Sequence, residues 1–197
     1  MTSGPAAENW DPRSVLAAVG AAEDPAIDLA EAGLALAALD RDKASPTPYR
    51  EHLAAIAAEM HAAAQKLPCD AAGDEGLRAR AVTLSQVVAG SFSYQGDRSN
   101  YDDLQNANLM WVIDRRKGLP VALAILYVHA ARSQGWSIEG VNFPGHFVLR
   151  LFHSGRAVII DPFAGGQPCD TADLRRKLKA AAGEKAELQP EHYARLG

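Results

Sequence analysis

The sequence predicts an α+β fold, with helices first and an antiparallel sheet after them. Three observations predict it. Residues 1–90 are rich in alanine and carry repeated helix-start signals. The run from Leu119 to Ala131 is apolar on nearly every side, the pattern of a buried helix. After Gln134-Gly135 the chain turns into short strand-like runs joined by a hairpin signal. Helices followed by a meander, not alternating with strands, argue against a parallel sheet.

The elements follow in order. Asp11-Pro12 joins an N-cap to a proline suited to a first helical turn, and opens a helix ending near Gly20. Asp24-Pro25 repeats the signal for a second helix through Leu39. Thr47-Pro48 repeats it for a third, with Leu53, Ile56, Ala57 and Met60 at helical spacing. A loop with Pro68, Gly73 and Gly76 precedes a fourth helix marked by Leu77, Ala81, Leu84, Val87 and Val88 and closed by Gly90. Phe92 to Leu104 has the composition of an ordered loop, with aromatic anchors among turn-forming polar residues. Asn106 is a cap for a short helix carrying Leu109, Met110, Val112 and Ile113, with Trp111 as a core contact. Arg115-Arg116-Lys117-Gly118 then forms a basic turn into the buried helix, where Pro120 takes the first turn. Strand-like runs follow at Ile138, Gly140–Phe143, His146–Phe152 and Ala157–Ile160. A last helix, with Thr171-Ala172-Asp173 as its cap, runs through Ala182, and a tail covers Pro190 to Leu196. The organisation expected is an N-terminal helical region, 1–74, packed as one unit with a core domain, 75–197.

Composition bounds the function. An apolar fraction of 48% and a charged fraction of 22% are those of a globular domain with a real core. A net charge of −4 gives no overall pull toward nucleic acid or anionic membrane. The basic runs Arg115-Arg116-Lys117 and Arg175-Arg176-Lys177 read as solvated helix ends. Two cysteines, Cys69 and Cys169, show no zinc-ligand spacing, so neither metal nor cofactor is expected. The first ten residues lack a leader pattern and no run is long enough to span a bilayer, so a cytoplasmic protein is expected.

The chemistry comes from the hairpin. If Ser154-Gly155 is a two-residue loop, His153 pairs with Arg156 and Val148 lies opposite Asp161. His146 is then on the same face as Asp161, a diagonal neighbour roughly 7–8 Å away at the backbone and within side-chain reach. A histidine oriented by an aspartate is the base half of a nucleophilic triad. A three-residue loop would instead put the two on opposite faces. Singly, His146 after Pro144-Gly145 and Asp161 before Pro162 read as turn residues; the pairing is what points to a site.

These residues carry a family resemblance. Gly118-Leu119-Pro120 opening a buried helix, Gly140 through Pro144-Gly145-His146-Phe147, and Ile160-Asp161-Pro162-Phe163-Ala164-Gly165-Gly166 resemble the SirB-type branch of the transglutaminase-like superfamily. So do Tyr94-Gln95-Gly96-Asp97, the run Tyr101 to Leu109, and Arg115-Arg116-Lys117-Gly118. The similarity covers roughly residues 75 to 175. It implies a papain-like fold in which a cysteine opens the central helix, a histidine lies on the next strand and an aspartate on the strand after. His146 and Asp161 match the last two positions. The cysteine position falls at Pro120, and the serine that this branch carries two residues on is Ala122 here. Asn106, Arg115, Arg116, Gly118, Pro144, Gly145 and Phe163 are the binding candidates of the implied cleft.

With no thiol or hydroxyl at the helix start, a covalent acyl intermediate is not expected. The reading is a pseudoenzyme that keeps a His–Asp cleft for a peptide or protein partner. Three alternatives stand beside it. One is a hydrolase or amidase using His146 as general base on water, with Arg115 or Arg116 and the uncapped helix amides holding an anion. Another is a thiol enzyme recruiting Cys169; Cys69 is a weaker candidate. The last is a structural role, with His146 and Asp161 as core hydrogen-bond partners. The pair is expected to face the start of the buried helix.

Overall fold

The computed structural model describes residues 10–23, 27–41, 44–68 and 73–193. Seven helices and six strands occur among them: α1 (Pro12–Ala21), α2 (Leu29–Leu39), α3 (Thr47–Ala64), α4 (Gly73–Ser85), β1 (Gln95–Gly96), α5 (Leu109–Arg115), β2 (Lys117–Gly118), α6 (Pro120–Arg132), β3 (Ile138–Phe143), β4 (His146–His153), β5 (Arg156–Asp161), β6 (Gln167–Cys169) and α7 (Thr171–Ala182). The expected α+β order holds. A parallel β1–β2 pair precedes a four-stranded antiparallel meander in the order β3-β4-β5-β6.

The buried helix lies where the apolar run placed it. Leu123, Leu126, Tyr127, Ala130 and Ala131 of α6 are fully buried, while Val121 in its first turn is exposed. One continuous core joins α6 to Leu34 of α2, Leu53 and Ile56 of α3, Leu84 of α4, Met110 of α5, and Leu149, Leu151 and Ile160 of the sheet. This core runs without a break across residue 75, so the helical region and the sheet share one interior. Each fully buried leucine contributes roughly 1.5–3 kcal/mol to that interior.

Several boundaries differ from the sequence reading. The second helix is capped by Asp28, whose carboxylate accepts from the amides of Ala30 and Glu31; Asp24-Pro25 lies outside the described residues, as do Cys69 and the tail beyond Tyr193. Thr47 is already helical, and the hydroxyl of Ser45 accepts its amide. Asn108, not Asn106, caps α5 by accepting from the Trp111 amide. Asp170, not Thr171, caps α7, in a reciprocal capping box with Asp173. At α2, α5 and α7 the cap is the side chain that reaches the N2 or N3 amide, whereas α3 has Pro46 at its N-cap and no side-chain cap. Trp111 is half-buried under the Arg41 guanidinium, not in the core. The fourth helix changes to a π-turn at Gln86–Ser91 before it ends. Strand β6 is an addition to the sequence-derived order: three residues containing Pro168 carry almost no strand signal.

Candidate functional site

The hairpin between β4 and β5 closes with two residues. Ser154 (φ 50°) and Gly155 (φ 74°) are both left-handed, as a type I′ turn requires. His153 pairs with Arg156 and Leu149 with Ile160. The register is the one that places His146 diagonally across from Asp161, and their side chains meet: His146 Nε2 lies 2.9 Å from Asp161 Oδ1.

Asp161 is only 1% exposed and is heavily engaged. Oδ1 also accepts from the backbone amides of Phe163 (2.9 Å) and Ala164 (3.2 Å), capping the 3₁₀ turn that Pro162 begins. Oδ2 is ion-paired with Lys177 of α7. Burial opposes the charge, but the hydrogen bonds from His146 and Lys177 outweigh it and hold the carboxyl at about 2. The aspartate is therefore a fixed anion that orients His146 and anchors α7 at once.

The faces of the sheet decide what this pair can reach. Alternation puts His146, Val148, Asp161, Ile159 and Cys169 on one face. That face packs on Leu174 and Leu178 of α7 through a small second core with Val141 and Phe143. The opposite face, with Leu149, Leu151 and Ile160, packs on α6 and the main core. His146 and Asp161 thus lie on the α7 side of the sheet and not on the side that carries α6, contrary to the expectation that they face the helix start. Phe163 bridges the two. Its ring is edge-on to His146, centroids 6.2 Å apart, and occupies the space a β-carbon at Gly96 would need. Gly96 belongs to β1, which pairs with Lys117-Gly118 just ahead of Pro120.

The start of α6 offers no reacting group. Leu119 is the N-cap and makes no side-chain cap bond, and Pro120 is buried. Cys169 does not stand in. It pairs with Ile159, which pairs with Arg150, so its backbone is two strand spacings, roughly 10 Å, from β4 and level with Arg150, not with His146. Burial and the neighbouring Asp161 charge push its thiol up to about 11, the reverse of an activated thiolate.

The remaining candidates divide. Asn106 is buried in the loop before α5; its amide donates to Asn100 O (2.7 Å) and its backbone oxygen accepts from the Leu119 amide (2.9 Å). Arg115 donates to Asn106 Oδ1 (3.3 Å) and Asp97 Oδ2 (3.0 Å). Asp97 also accepts from the Ser99 hydroxyl and from the amides of Ser99 and Asn100, and these bonds, the Ser99 hydroxyl first, lower its pKa. This closed network shapes the loop that leads into α6. Arg116, left-handed at φ 59°, ends α5 and reaches Tyr94 and His52 of α3. Gly118 is buried where a β-carbon would press on Val112. Pro144 and Gly145 (φ 67°) form the β3–β4 turn, and Gly145 lies against Ala181 of α7. Arg115 and Arg116 are therefore not solvated helix ends. Nor is Lys177, which falls on the apolar stripe of α7 with Leu174 and Leu178; that i, i+3, i+4 position was the signal for it.

Two cavities lie near the His146–Asp161 pair, sharing Arg98 and Ala164 in their walls. One of about 650 Å³ is lined by residues of 93–99 with Lys117, Phe163, Ala164 and Gly165. The other, about 390 Å³, is lined by Arg98, Asp161, Cys169, Arg176 and Lys177 among others. His146 lines neither. Among the described residues no helix is long and apolar enough to cross a membrane, and no group of three or more His, Cys, Asp or Glu could hold a metal ion.

Set beside known proteins, residues 47–197 match the family model described as the transglutaminase-like superfamily, and the chain belongs to that superfamily. The match begins at α3, ahead of residue 75. A UPF0162 protein of Xylella fastidiosa (strain Temecula1) is 39% identical over 103 residues, 52% of this chain and 37% of that protein. A UPF0162 protein of Vibrio cholerae is 33% identical over 116 residues, 58% of this chain and 43% of that protein. Human F-box only protein 21 is 32% identical over 80 residues, 41% of this chain and 13% of that protein. The chain thus spans less than half the length of these curated relatives. No solved structure matches it.

Proposed function

We propose that this is a non-catalytic member of the superfamily, of the SirB-type branch, that binds a peptide or protein segment in the groove around Phe163. The observation that carries this reading is the start of α6, where Leu119, Pro120, Val121 and Ala122 supply no nucleophile and Cys169 lies two strands away from His146. A His–Asp pair without a thiol or hydroxyl cannot carry an acyl group. Lys177 also ion-pairs with Asp161, so the carboxylate holds architecture as well as orienting His146. The test has two parts. The full chain should incorporate no amine into a glutamine-containing protein and hydrolyse no amide or ester in a broad screen, and it should retain saturable binding on an unbiased peptide array. Absence of any peptide binding would overturn the reading.

A second reading rests on the His146–Asp161 bond itself: a hydrolase in which His146 takes a proton from water. Its test is the same screen on wild type and His146→Ala. Turnover abolished by the substitution would replace the non-catalytic reading; turnover that survives it would dismiss this site.

A further inference from the structure

The larger cavity has an unpaired strand edge in its wall. In the β1–β2 pair, the Gln95 amide donates to Arg116 O (3.0 Å) and the Asp97 amide to Gly118 O (3.2 Å). Residues 95 and 97 therefore turn their backbone groups toward β2. The residue between them turns its own away, because strand backbone groups alternate in direction. Gly96 N–H and C=O thus face away from β2, and no hydrogen bond to either is formed among the described residues. Gly96 lines the cavity, flanked by Gln95 and Asp97, and Phe163 covers one face of it. Exposed backbone donors and acceptors of this kind are a template for an added strand.

The charges around this edge have one sign to spare. Asp97 lines the cavity, but both its oxygens are engaged by Arg115, Ser99 and Asn100. Arg98 lies with its guanidinium over the Phe163 ring, 5.5 Å from the centroid, and Lys117 lines the same cavity. Neither forms an ion pair among the described residues. A volume of about 650 Å³ is large enough for a short stretch of extended chain.

We infer that this cavity binds an extended peptide bearing an acidic side chain: its backbone pairs with the outer edge of β1 at Gly96, and its carboxylate lies between Arg98 and Lys117. The inference rests on the binding-domain reading and adds to it the ligand class and the point of contact. Backbone pairing fixes the direction of the segment, and the two cations select its charge.

Fluorescence anisotropy on the full chain tests it, with a labelled, end-capped heptapeptide of alternating Thr and Val carrying one central Glu. Gln for Glu should weaken binding about tenfold, and so should N-methylation of the central backbone. Arg98→Gln and Lys117→Met should each weaken it several-fold and flatten its salt dependence, with unchanged urea midpoints showing that both variants fold. The inference is overturned if the Glu peptide does not saturate, if the N-methylated peptide binds as well, or if neither cation matters. Neutral or basic peptides that bind the array while the acidic one fails would sink this inference alone; no peptide binding at all would sink the binding-domain reading with it.

Discussion

Asp161 is the residue on which most of the sheet end depends, and its charge should be visible in acid. Its folded pKa, about 2, lies below the ordinary 3.8, so the stability it contributes is complete above roughly pH 4 and is lost as the pH falls toward 2. The contribution is on the order of 2 kcal/mol. Urea midpoints measured at pH 7, 4 and 2.5 should show this loss in wild type and a flatter profile in Asp161→Asn. Tyr127 offers the opposite kind of prediction. Its hydroxyl is buried with no hydrogen-bond partner among the described residues, beside the Asp161 charge, and burial raises its pKa. Removing an unsatisfied buried hydroxyl leaves the ring packing intact and spares its desolvation. Tyr127→Phe should therefore raise stability by about 1 kcal/mol, read as a higher urea midpoint; a fall would mean the hydroxyl has a role in the loop at Gly166, where a β-carbon would collide with the Tyr127 ring. The His146–Asp161 pair was legible from sequence because a two-residue turn fixes a register, and register fixes faces. The commitment of Arg115 and Arg116 was not legible. Their partners Asp97, Tyr94 and His52 lie on other elements, and a run of cations looks the same whether or not it is engaged.

At the scale of elements, local punctuation marked the helices but misplaced several caps by one or two positions, since neighbouring Asp, Asn and Thr compete for the same amides. The polar ties between elements needed the fold. His52 of α3 is one of them: it contacts the Tyr94 hydroxyl at 2.8 Å and Arg116 at the end of α5, with Phe92 edge-on at 5.3 Å. Burial, and then the Arg116 charge, lower its pKa to about 4. The unfolded chain therefore binds this proton more readily, and stability should decline as the pH drops from about 6.5 to 4. His52→Gln should remove that slope while leaving the deeper acid step of Asp161 in place. A wild-type profile flat across that window would rule out a buried neutral His52. Because the helix-end residue Arg116 is left-handed and reaches α3, the turn into α6 is held from two sides.

For the molecule as a whole, α6 is the common wall: α2, α3, α4 and α5 pack around it and the sheet closes it off. Leu123→Ala should cost about 2–5 kcal/mol in a denaturation series, since Leu123 is wholly buried at the centre of this packing. A loss below 1 kcal/mol would mean that the interior re-forms around the gap. Sequence anticipated this wall from the apolar run alone. It did not anticipate that the sheet has two covered faces of unequal depth, because three-residue β6 and the docking of α7 leave almost no local trace.

That inequality has a consequence for how the protein opens. Helix α7 is held by Leu174 and Leu178 against four sheet residues and by the Lys177–Asp161 tie, while α6 sits in the main core. Few apolar contacts mean a low local opening energy. In native-state hydrogen exchange, amides around Leu174 and Leu178 should trade their protons through a partial opening well below the global one that governs Leu123 and Leu126. Each such event would lift the lysine from Asp161 and leave His146 as the remaining side-chain partner of that carboxylate while the rest of the protein stays folded.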